Sequence, residues 1–190
     1  MKKIGVLGLQ GAIKEHIDKL SQINNVEPFY VKYKEDIESV DGLIIPGGES
    51  TAIGRLLTDF SLTEPLKDKI NSGMPVWGTC AGMIILAKEI SNDTRRHLSV
   101  MDINVVRNGY GRQLDSFTTE VSLPAVSPDK IPLVFIRAPY VVEVAPQVDV
   151  LLRIDGNIVA CREKNILATS FHPELTGDLS FHKYFAGMIK

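Results

Sequence analysis

The sequence predicts an α/β fold of three layers, in which a mainly parallel central sheet lies between helices and carries an added antiparallel region at one edge. Short apolar segments alternate with helical segments through the first half of the 190-residue chain, as they do in parallel α/β proteins. Glycine-containing turns follow several of these apolar segments. The second half contains short apolar segments joined by turns, which are typical of antiparallel strands.

The first half is predicted to alternate strands with helices. Residues 4–9 are apolar and bounded by glycine, which is typical of a strand buried on both faces. Residues 12–21 have Ile13, Ile17 and Leu20 at helical spacing. The other predicted strands of this half are 29–33, 42–46 and 75–79, and the other predicted helices are 51–59, 65–72 and 81–90.

The second half is predicted to contain mostly strands, closed by one helix. The predicted strands are 105–106, 117–123, 133–136, 148–154, 158–161 and 166–171, and the helix is 179–189. No internal repeat, low-complexity segment or Pro/Ser linker divides the chain. Residues 1–190 are therefore predicted to form a single domain.

Composition excludes several classes of function. The net charge of −2 argues against a strongly basic nucleic-acid-binding protein. Glycines interrupt the apolar N-terminal segment and Lys14-Glu15-His16 follows it, which favours a buried strand over a signal peptide. No uncharged stretch is typical of a membrane span. We expect a cytoplasmic protein that binds neither nucleic acid nor membrane.

The two cysteines of the chain, Cys80 and Cys161, are too few for a disulfide framework or a Cys₄ zinc site, and we expect no metal.

Cys80 lies in a Gly-x-Cys-x-Gly segment between a predicted strand and a predicted helix. A sharp turn at this place exposes the central side chain at the end of the sheet, as in the nucleophile elbow of serine hydrolases. The start of a helix also stabilises a thiolate. We interpret Cys80 as a nucleophile, with a buried structural cysteine as the alternative. Cys161 has no neighbouring base in the sequence and is interpreted as a packing residue.

A thiolate nucleophile needs a base, and His172 is the candidate. It follows an apolar segment and begins the tripeptide His172-Pro173-Glu174. Because residues i and i+2 of an extended chain point the same way, Glu174 can accept a hydrogen bond from one imidazole nitrogen while the other faces Cys80. A capped loop is the alternative interpretation of this tripeptide. The remaining histidines are predicted to be exposed to solvent: His16, His97 and His182.

A glycine loop, Pro46-Gly47-Gly48-Glu49, follows the predicted strand at 42–46. Ligand sites of parallel sheets cluster at this end of the strands, and acyl transfer needs N–H donors directed at the developing oxyanion. We assign these donors to the backbone N–H groups of Gly48 and Ala81. A phosphate loop is disfavoured because Gly-x-x-x-x-Gly-Lys is absent. A plain turn with Ser50 capping a helix is an alternative that is compatible with this role.

Together these motifs resemble the class I (triad) glutamine amidotransferases. Further segments narrow the resemblance to the family of glutaminase subunits of pyridoxal 5′-phosphate synthase. The segments that carry the resemblance are 8–12, 46–51, 78–82, Gly111-Arg112-Gln113 with Asp115-Ser116-Phe117, 135–139 and 171–176. They span almost the whole chain.

The resemblance implies that the chain hydrolyses L-glutamine to L-glutamate and ammonia without a cofactor. Cys80 would form a γ-glutamyl thioester, His172 would protonate the departing ammonia, and Glu174 would complete the triad. The ammonia would pass to a separate synthase subunit, whose dodecameric core carries the glutaminases around its outside and activates them. Gln10 could support the oxyanion loop. The glutamine-binding positions of the family map onto Gly47, Gly48, Glu49, Arg107, Ile136 and Arg137.

Two positions depart from the family pattern. Gly109 stands where the family usually has Ser or Thr, and Tyr140 stands where relatives often have His. Two other functions remain open. One is a triad amidotransferase that supplies a different acceptor enzyme, against which the segments 111–113 and 135–139 argue. The other is a non-enzymatic regulator built on the same scaffold, against which the intact triad argues.

Overall fold

The computed structural model describes residues 1–91, 93–110 and 116–190. Its strands are β1 (Lys2–Leu7), β2 (Val26–Val31), β3 (Gly42–Ile45), β4 (Val76–Thr79), β5 (Ala87–Ile90), β6 (Met101–Val106), β7 (Ser116–Val121), β8 (Ile131–Ile136), β9 (Tyr140–Val144), β10 (Asp149–Ile154), β11 (Asn157–Glu163) and β12 (Ile166–Thr169). Its helices are α1 (Ile13–Leu20), α2 (Lys34–Glu38), α3 (Ser50–Asp59), α4 (Thr63–Asn71), α5 (Ala81–Leu86) and α6 (Ser180–Met188). None of the helices in these ranges is long and apolar enough to cross a membrane.

Most strands form one sheet in the order β2-β1-β3-β4-β12-β11-β9-β6-β5, and β10 pairs with β11. The neighbours from β2 to β12 are parallel. The pairs that join β11 to β12, β10 and β9, and β9 to β6, are antiparallel. Strands β7 and β8 form a separate antiparallel pair. The prediction of a mainly parallel sheet with an antiparallel region at one edge is confirmed.

The parallel strands are apolar on both faces because helices and loops cover both. Successive residues of β3 belong to different core clusters: Leu43 and Ile45 pack in one, and Ile44 packs in the other. Helices α3 and α4 contribute to the first cluster, whereas α6 contributes Phe181 and Phe185 to the second. This alternation has the period of two that a strand imposes and produces the three predicted layers.

The carboxyl ends of β3, β4 and β12 lie side by side in the sheet. Ile45 pairs with Gly78, and Thr79 pairs with Thr169. The glycine loop directly follows β3, Cys80 follows β4, and His172 lies three residues after β12. Because parallel strands end at the same edge of a sheet, segments far apart in sequence converge there.

The predicted helix at 81–90 is wrong in its second half. Helix α5 ends at Leu86, and the next four residues form β5, which pairs in parallel with β6 at the edge of the sheet. Ala, Lys and Glu favour helices, but pairing and the burial of Ala87 and Ile90 override this weak local preference. Helix α2 and strand β9 were absent from the sequence prediction as well.

Candidate active site

Cys80 occupies the turn between β4 and α5. Its backbone has φ 48° and ψ −104°, a strained conformation for a residue with a side chain. Glycines permit this turn, because a Cβ at Gly82 would lie 2.1 Å from the Ile45 carbonyl oxygen and a Cβ at Gly78 would lie 2.4 Å from the Gly82 carbonyl oxygen. The strained turn places the Cys80 side chain at the end of the sheet, beside the glycine loop.

His172 and Glu174 are joined by a hydrogen bond in which His172 Nδ1 donates to Glu174 Oε1 over 2.7 Å. The carboxylate is buried, and the imidazole is largely buried. The sequence analysis expected an extended backbone here, but Pro173–Leu175 forms a 3₁₀ turn. The turn, rather than the i and i+2 rule for strands, brings the carboxylate to the imidazole.

His172 also lies beside Cys80 and the glycine loop. A Cβ on Gly47 would lie 2.4 Å from His172 Cε1 and 3.4 Å from Cys80 Cβ, so glycine loop, imidazole and cysteine meet at one point. Burial alone would lower the pKa of His172, but hydrogen bonds to Cys80 and Glu174 and their charges outweigh burial and raise this pKa to about 10. The imidazolium form of His172 is therefore favoured at neutral pH.

The glycine loop is fixed by the segment that follows β1. The Ala12 N–H donates to the Gly47 carbonyl oxygen over 2.9 Å, and the Glu49 N–H donates to Gln10 Oε1 over 2.8 Å. Gly11 has φ 110°, and a Cβ there would lie 2.0 Å from the Gly47 carbonyl oxygen. Only glycine allows this close approach, so the Gly11 position sets the orientation of the loop.

The same contacts orient the Gly48 N–H. A trans peptide directs its C=O and N–H in opposite directions, so the Gly48 N–H points away from Ala12. Within the described residues, no protein acceptor is found for this N–H. Ala81 is the first residue of α5, and an N–H at this place has no acceptor within its own helix. Gly48 and Ala81 both line the same pocket as Cys80.

The pocket has a volume of about 290 Å³, a size suited to a small amino acid. Arg137 Nη2 lies 3.8 Å from Glu49 Oε1 at its mouth, and Arg107 Nη1 donates to Asp93 Oδ2 over 3.2 Å. Cations and a carboxylate are thus both present to bind the two charges of an amino acid. The predicted site residues that line the pocket are Gln10, Gly48, Glu49, Cys80, Ala81, Arg107, Ile136, Arg137 and His172.

Two histidines that the sequence analysis placed in solvent are fully buried. His16 on α1 and His182 on α6 pack edge-on against Trp77, behind Glu174. The prediction was wrong because the inward face of α1 was assigned to Ile13, Ile17 and Leu20 alone. His16 lies on that face as well, four residues before Leu20, and both are buried. His97 is also partly buried, with its ring against Gly54. The i and i+4 spacing of His16 and Leu20 was the signal available in the sequence.

The two departures from the family pattern lie in contact. The Tyr140 ring covers Gly109, where a Cβ would lie 2.2 Å from Cε1 and 2.3 Å from Cδ1. The ring also packs against Tyr110, with centroids 5.6 Å apart. Gly109 follows Asn108, which borders the pocket. The two residues therefore fit against each other, and each adjoins a residue that lines the pocket, Asn108 or Pro139. The segment 111–113 and Asp115 lie outside the described residues.

We expect Gly109→Ser to destabilise the protein by about 1–3 kcal/mol, because the added side chain overpacks against an aromatic ring that is itself packed. The KM for glutamine should rise as the adjoining wall shifts. Tyr140→His in the same chain should recover part of both losses. Melting temperatures and KM values for the two single variants and the double variant measure this coupling. Strictly additive effects would contradict the matched contact.

Comparisons with known proteins show the family of the chain. The sequence profile of the SNO glutamine amidotransferase family matches residues 6–190. The chain is 82% identical over 189 residues to "Pyridoxal 5′-phosphate synthase subunit PdxT" of Ruminiclostridium cellulolyticum, covering 100% of both chains. It is 55% identical over 185 residues to the protein of that name from Clostridium botulinum, covering 97% of this chain and 96% of the other. A crystal structure described as a glutamine amidotransferase has a TM-score of 0.91 at 38% identity and covers 97% of each chain. The chain belongs to the SNO glutamine amidotransferase family.

Proposed function

We propose that the chain hydrolyses L-glutamine to L-glutamate and ammonia, and that the ammonia supplies a pyridoxal 5′-phosphate synthase in the synthesis of vitamin B6. The observation that carries this proposal is the convergence of Cys80, His172 and Glu174 beside a pocket that holds both cationic and anionic side chains. The relatives that bear the name of a synthase subunit align over nearly their whole length, which supports the partner as well as the reaction.

Glutamine binds with its side-chain amide toward Cys80 and its charged end toward the mouth of the pocket. Arg107 and Arg137 attract the α-carboxylate, and Glu49 accepts hydrogen bonds from the α-ammonium group. The Ile136 carbonyl oxygen, 3.9 Å from Cys80 Sγ, lies where it can accept a hydrogen bond from the side-chain amide. These contacts place the amide carbon against the sulfur.

The Cys80 thiolate attacks the amide carbon, and the N–H groups of Gly48 and Ala81 stabilise the oxyanion. The His172 imidazolium gives its proton to the departing nitrogen as the carbon–nitrogen bond breaks, which leaves a γ-glutamyl thioester and ammonia. Neutral His172 then takes a proton from water, which attacks the thioester. Glutamate leaves, and the thiolate–imidazolium pair is restored.

Several residues act through these groups rather than on glutamine itself. Glu174 holds the imidazole and stabilises its charged form. Gln10 fixes the peptide after Gly48 through the Glu49 N–H, and Gly47 leaves room for His172 beside the loop. Glu174, Gln10 and Gly47 therefore belong to the proposed site because they hold the reacting groups in place or leave room for them.

We propose that the working enzyme is a complex in which glutaminases surround a dodecameric core of synthase subunits. The proposed setting is the cytoplasm, since the reaction requires a reduced thiol and both cysteines are free. The family resemblance supports activation of the glutaminase by its partner.

Glutamate release by the chain, measured with and without the purified synthase subunit of its own organism, tests the proposed function. We expect the free chain to be slow and the complex to be at least several times faster. The complex should also make pyridoxal phosphate from glutamine, ribose 5-phosphate and glyceraldehyde 3-phosphate. Ammonium chloride in place of glutamine is the control for an active synthase. Equal rates with and without the partner would contradict activation, and pyridoxal phosphate formed only from ammonium chloride would contradict the proposed function.

A further inference from the structure

A pair of buried histidines lies directly behind the proposed triad. His16 Nδ1 is 3.0 Å from His182 Nε2, and His16 Nε2 is 3.3 Å from Thr79 Oγ1 and 3.5 Å from Glu174 Oε2. Both imidazoles are fully buried. Neither takes part in the proposed reaction, although buried polar rings are costly to keep in a core.

The carboxylate of Glu174 has one satisfied oxygen and one that depends on His16. Oε1 accepts the hydrogen bond from His172, whereas Oε2 is buried and has no protein donor at normal hydrogen-bond geometry within the described residues. His16 Nε2 is the nitrogen that faces Oε2. An ionised carboxylate oxygen without a donor is strongly disfavoured in a core, so the protonation of His16 Nε2 decides how well Glu174 is held.

Both histidines of the pair are neutral. Burial, and the neighbouring His182 and His172, hold the pKa of His16 well below its usual range. Burial and the positive charge of Lys19 lower the pKa of His182 to about 3. Each ring therefore carries a single proton, which must sit on one of its two nitrogens.

One arrangement of these protons satisfies the surroundings better than the other. If His182 Nε2–H donates to His16 Nδ1, then His16 carries its proton on Nε2, facing Glu174 and Thr79. The reverse arrangement directs a bare nitrogen of His16 at a carboxylate. It also leaves a proton on His182 Nδ1, a buried atom without a partner in the described residues. A missing acceptor for N–H and a lone pair against a carboxylate are both unfavourable, so the first arrangement prevails.

We propose that His16, with its tautomer set by His182, is a positioning residue whose Nε2–H faces both Glu174 Oε2 and Thr79 Oγ1 and whose positive hydrogen holds the carboxylate against His172. This role rests on the proposed glutaminase function, since it acts only through the triad. It gives the buried histidine pair a purpose that packing alone would not require, because Leu or Phe would fill the same space without a polar atom.

Substitutions at His16 test the role of the donor. His16→Leu keeps much of the bulk and removes the N–H, whereas His16→Gln keeps an amide N–H near the position of Nε2. In the synthase complex, His16→Leu should lower kcat for glutamate release about 10–100-fold, with KM for glutamine nearly unchanged. His16→Gln should recover most of this loss. His182→Phe, which removes the donor to His16 and keeps an aromatic ring, should lower kcat by an intermediate factor.

Melting temperatures of the same variants separate positioning from folding. The role is supported when kcat depends on an N–H donor at position 16. In that case kcat is higher in His16→Gln than in His16→Leu, while the melting temperatures do not follow the same order. Wild-type kcat in His16→Leu overturns it, and so do equal losses in Leu and Gln. If His16→Leu does not fold, His16→Gln and His182→Phe decide: the expected order of kcat supports the role, and kcat values that simply track stability overturn it. A wild-type complex that releases no glutamate overturns the proposed function itself.

Discussion

Cys80→Ala should lower synthase-activated glutamate release by at least about 10³-fold, because the variant has no atom that can form the thioester. Glutamine should still bind, since the pocket wall and its charged groups are unchanged. The fold should persist as well, because the substitution removes a single sulfur atom from a small side chain at the end of the sheet. Steady-state release of glutamate and ammonia in the complex measures this loss.

Cys161→Ala is the matched control for this substitution. Cys161 is also buried and free, but it lies within β11, and burial, reinforced by the charge of Glu163, raises the pKa of its thiol to about 12. A protonated thiol without a base is inert, so Cys161→Ala should keep wild-type kcat. Full activity of Cys80→Ala, or loss of activity in a folded Cys161→Ala, would show that the nucleophile has been assigned wrongly.

Glu174→Gln should lower kcat about 10²–10⁴-fold, the range expected when a triad loses the carboxylate behind its histidine. The amide can still accept a hydrogen bond from His172, but the negative charge that helps to raise the pKa of His172 to about 10 is gone. The imidazolium then loses its proton at lower pH. Because the reaction requires that proton for the departing ammonia, the alkaline limb of the kcat profile should move to lower pH.

Glu163→Gln is the control for removing a buried carboxylate in general. Glu163 is nearly buried and accepts the Asp102 N–H, but it does not line the glutamine pocket. Its substitution should leave kcat and the alkaline limb where they are, whatever it does to the melting temperature. If the alkaline limb of the kcat profile does not move in Glu174→Gln, and kcat stays within a few-fold of wild type, then the Glu174 carboxylate does not support His172.

Much of the architecture could be predicted from the sequence because its signals are local. Apolar segments ended by glycine indicate buried parallel strands, and the order of strands and helices predicts a parallel sheet. Strand β5 could not be predicted in this way, since Ala87–Ile90 becomes a strand only when it pairs with β6. The pairing partner, β6, begins eleven positions after β5 ends, beyond the range of local preference.

The candidate site also has parts that local sequence signals predict and parts that only the folded chain reveals. The segments around Cys80 and His172 can be recognised locally, and parallel strands bring them together. The contact of Gly109 with Tyr140 and that of His16 with His182 join residues that are 31 and 166 positions apart. Only the folded chain reveals such contacts, because side-chain packing between distant segments has no periodic signature in the sequence.

The site at which a glutamine analogue reacts is the most direct test of Cys80 as the glutaminase nucleophile. The chain in complex with its synthase subunit is treated with acivicin, with and without excess glutamine, and its peptides are analysed by mass spectrometry. We predict one adduct, on the peptide that contains Cys80, which glutamine prevents. An adduct on Cys161, or an active complex without any adduct on Cys80, would contradict the assignment.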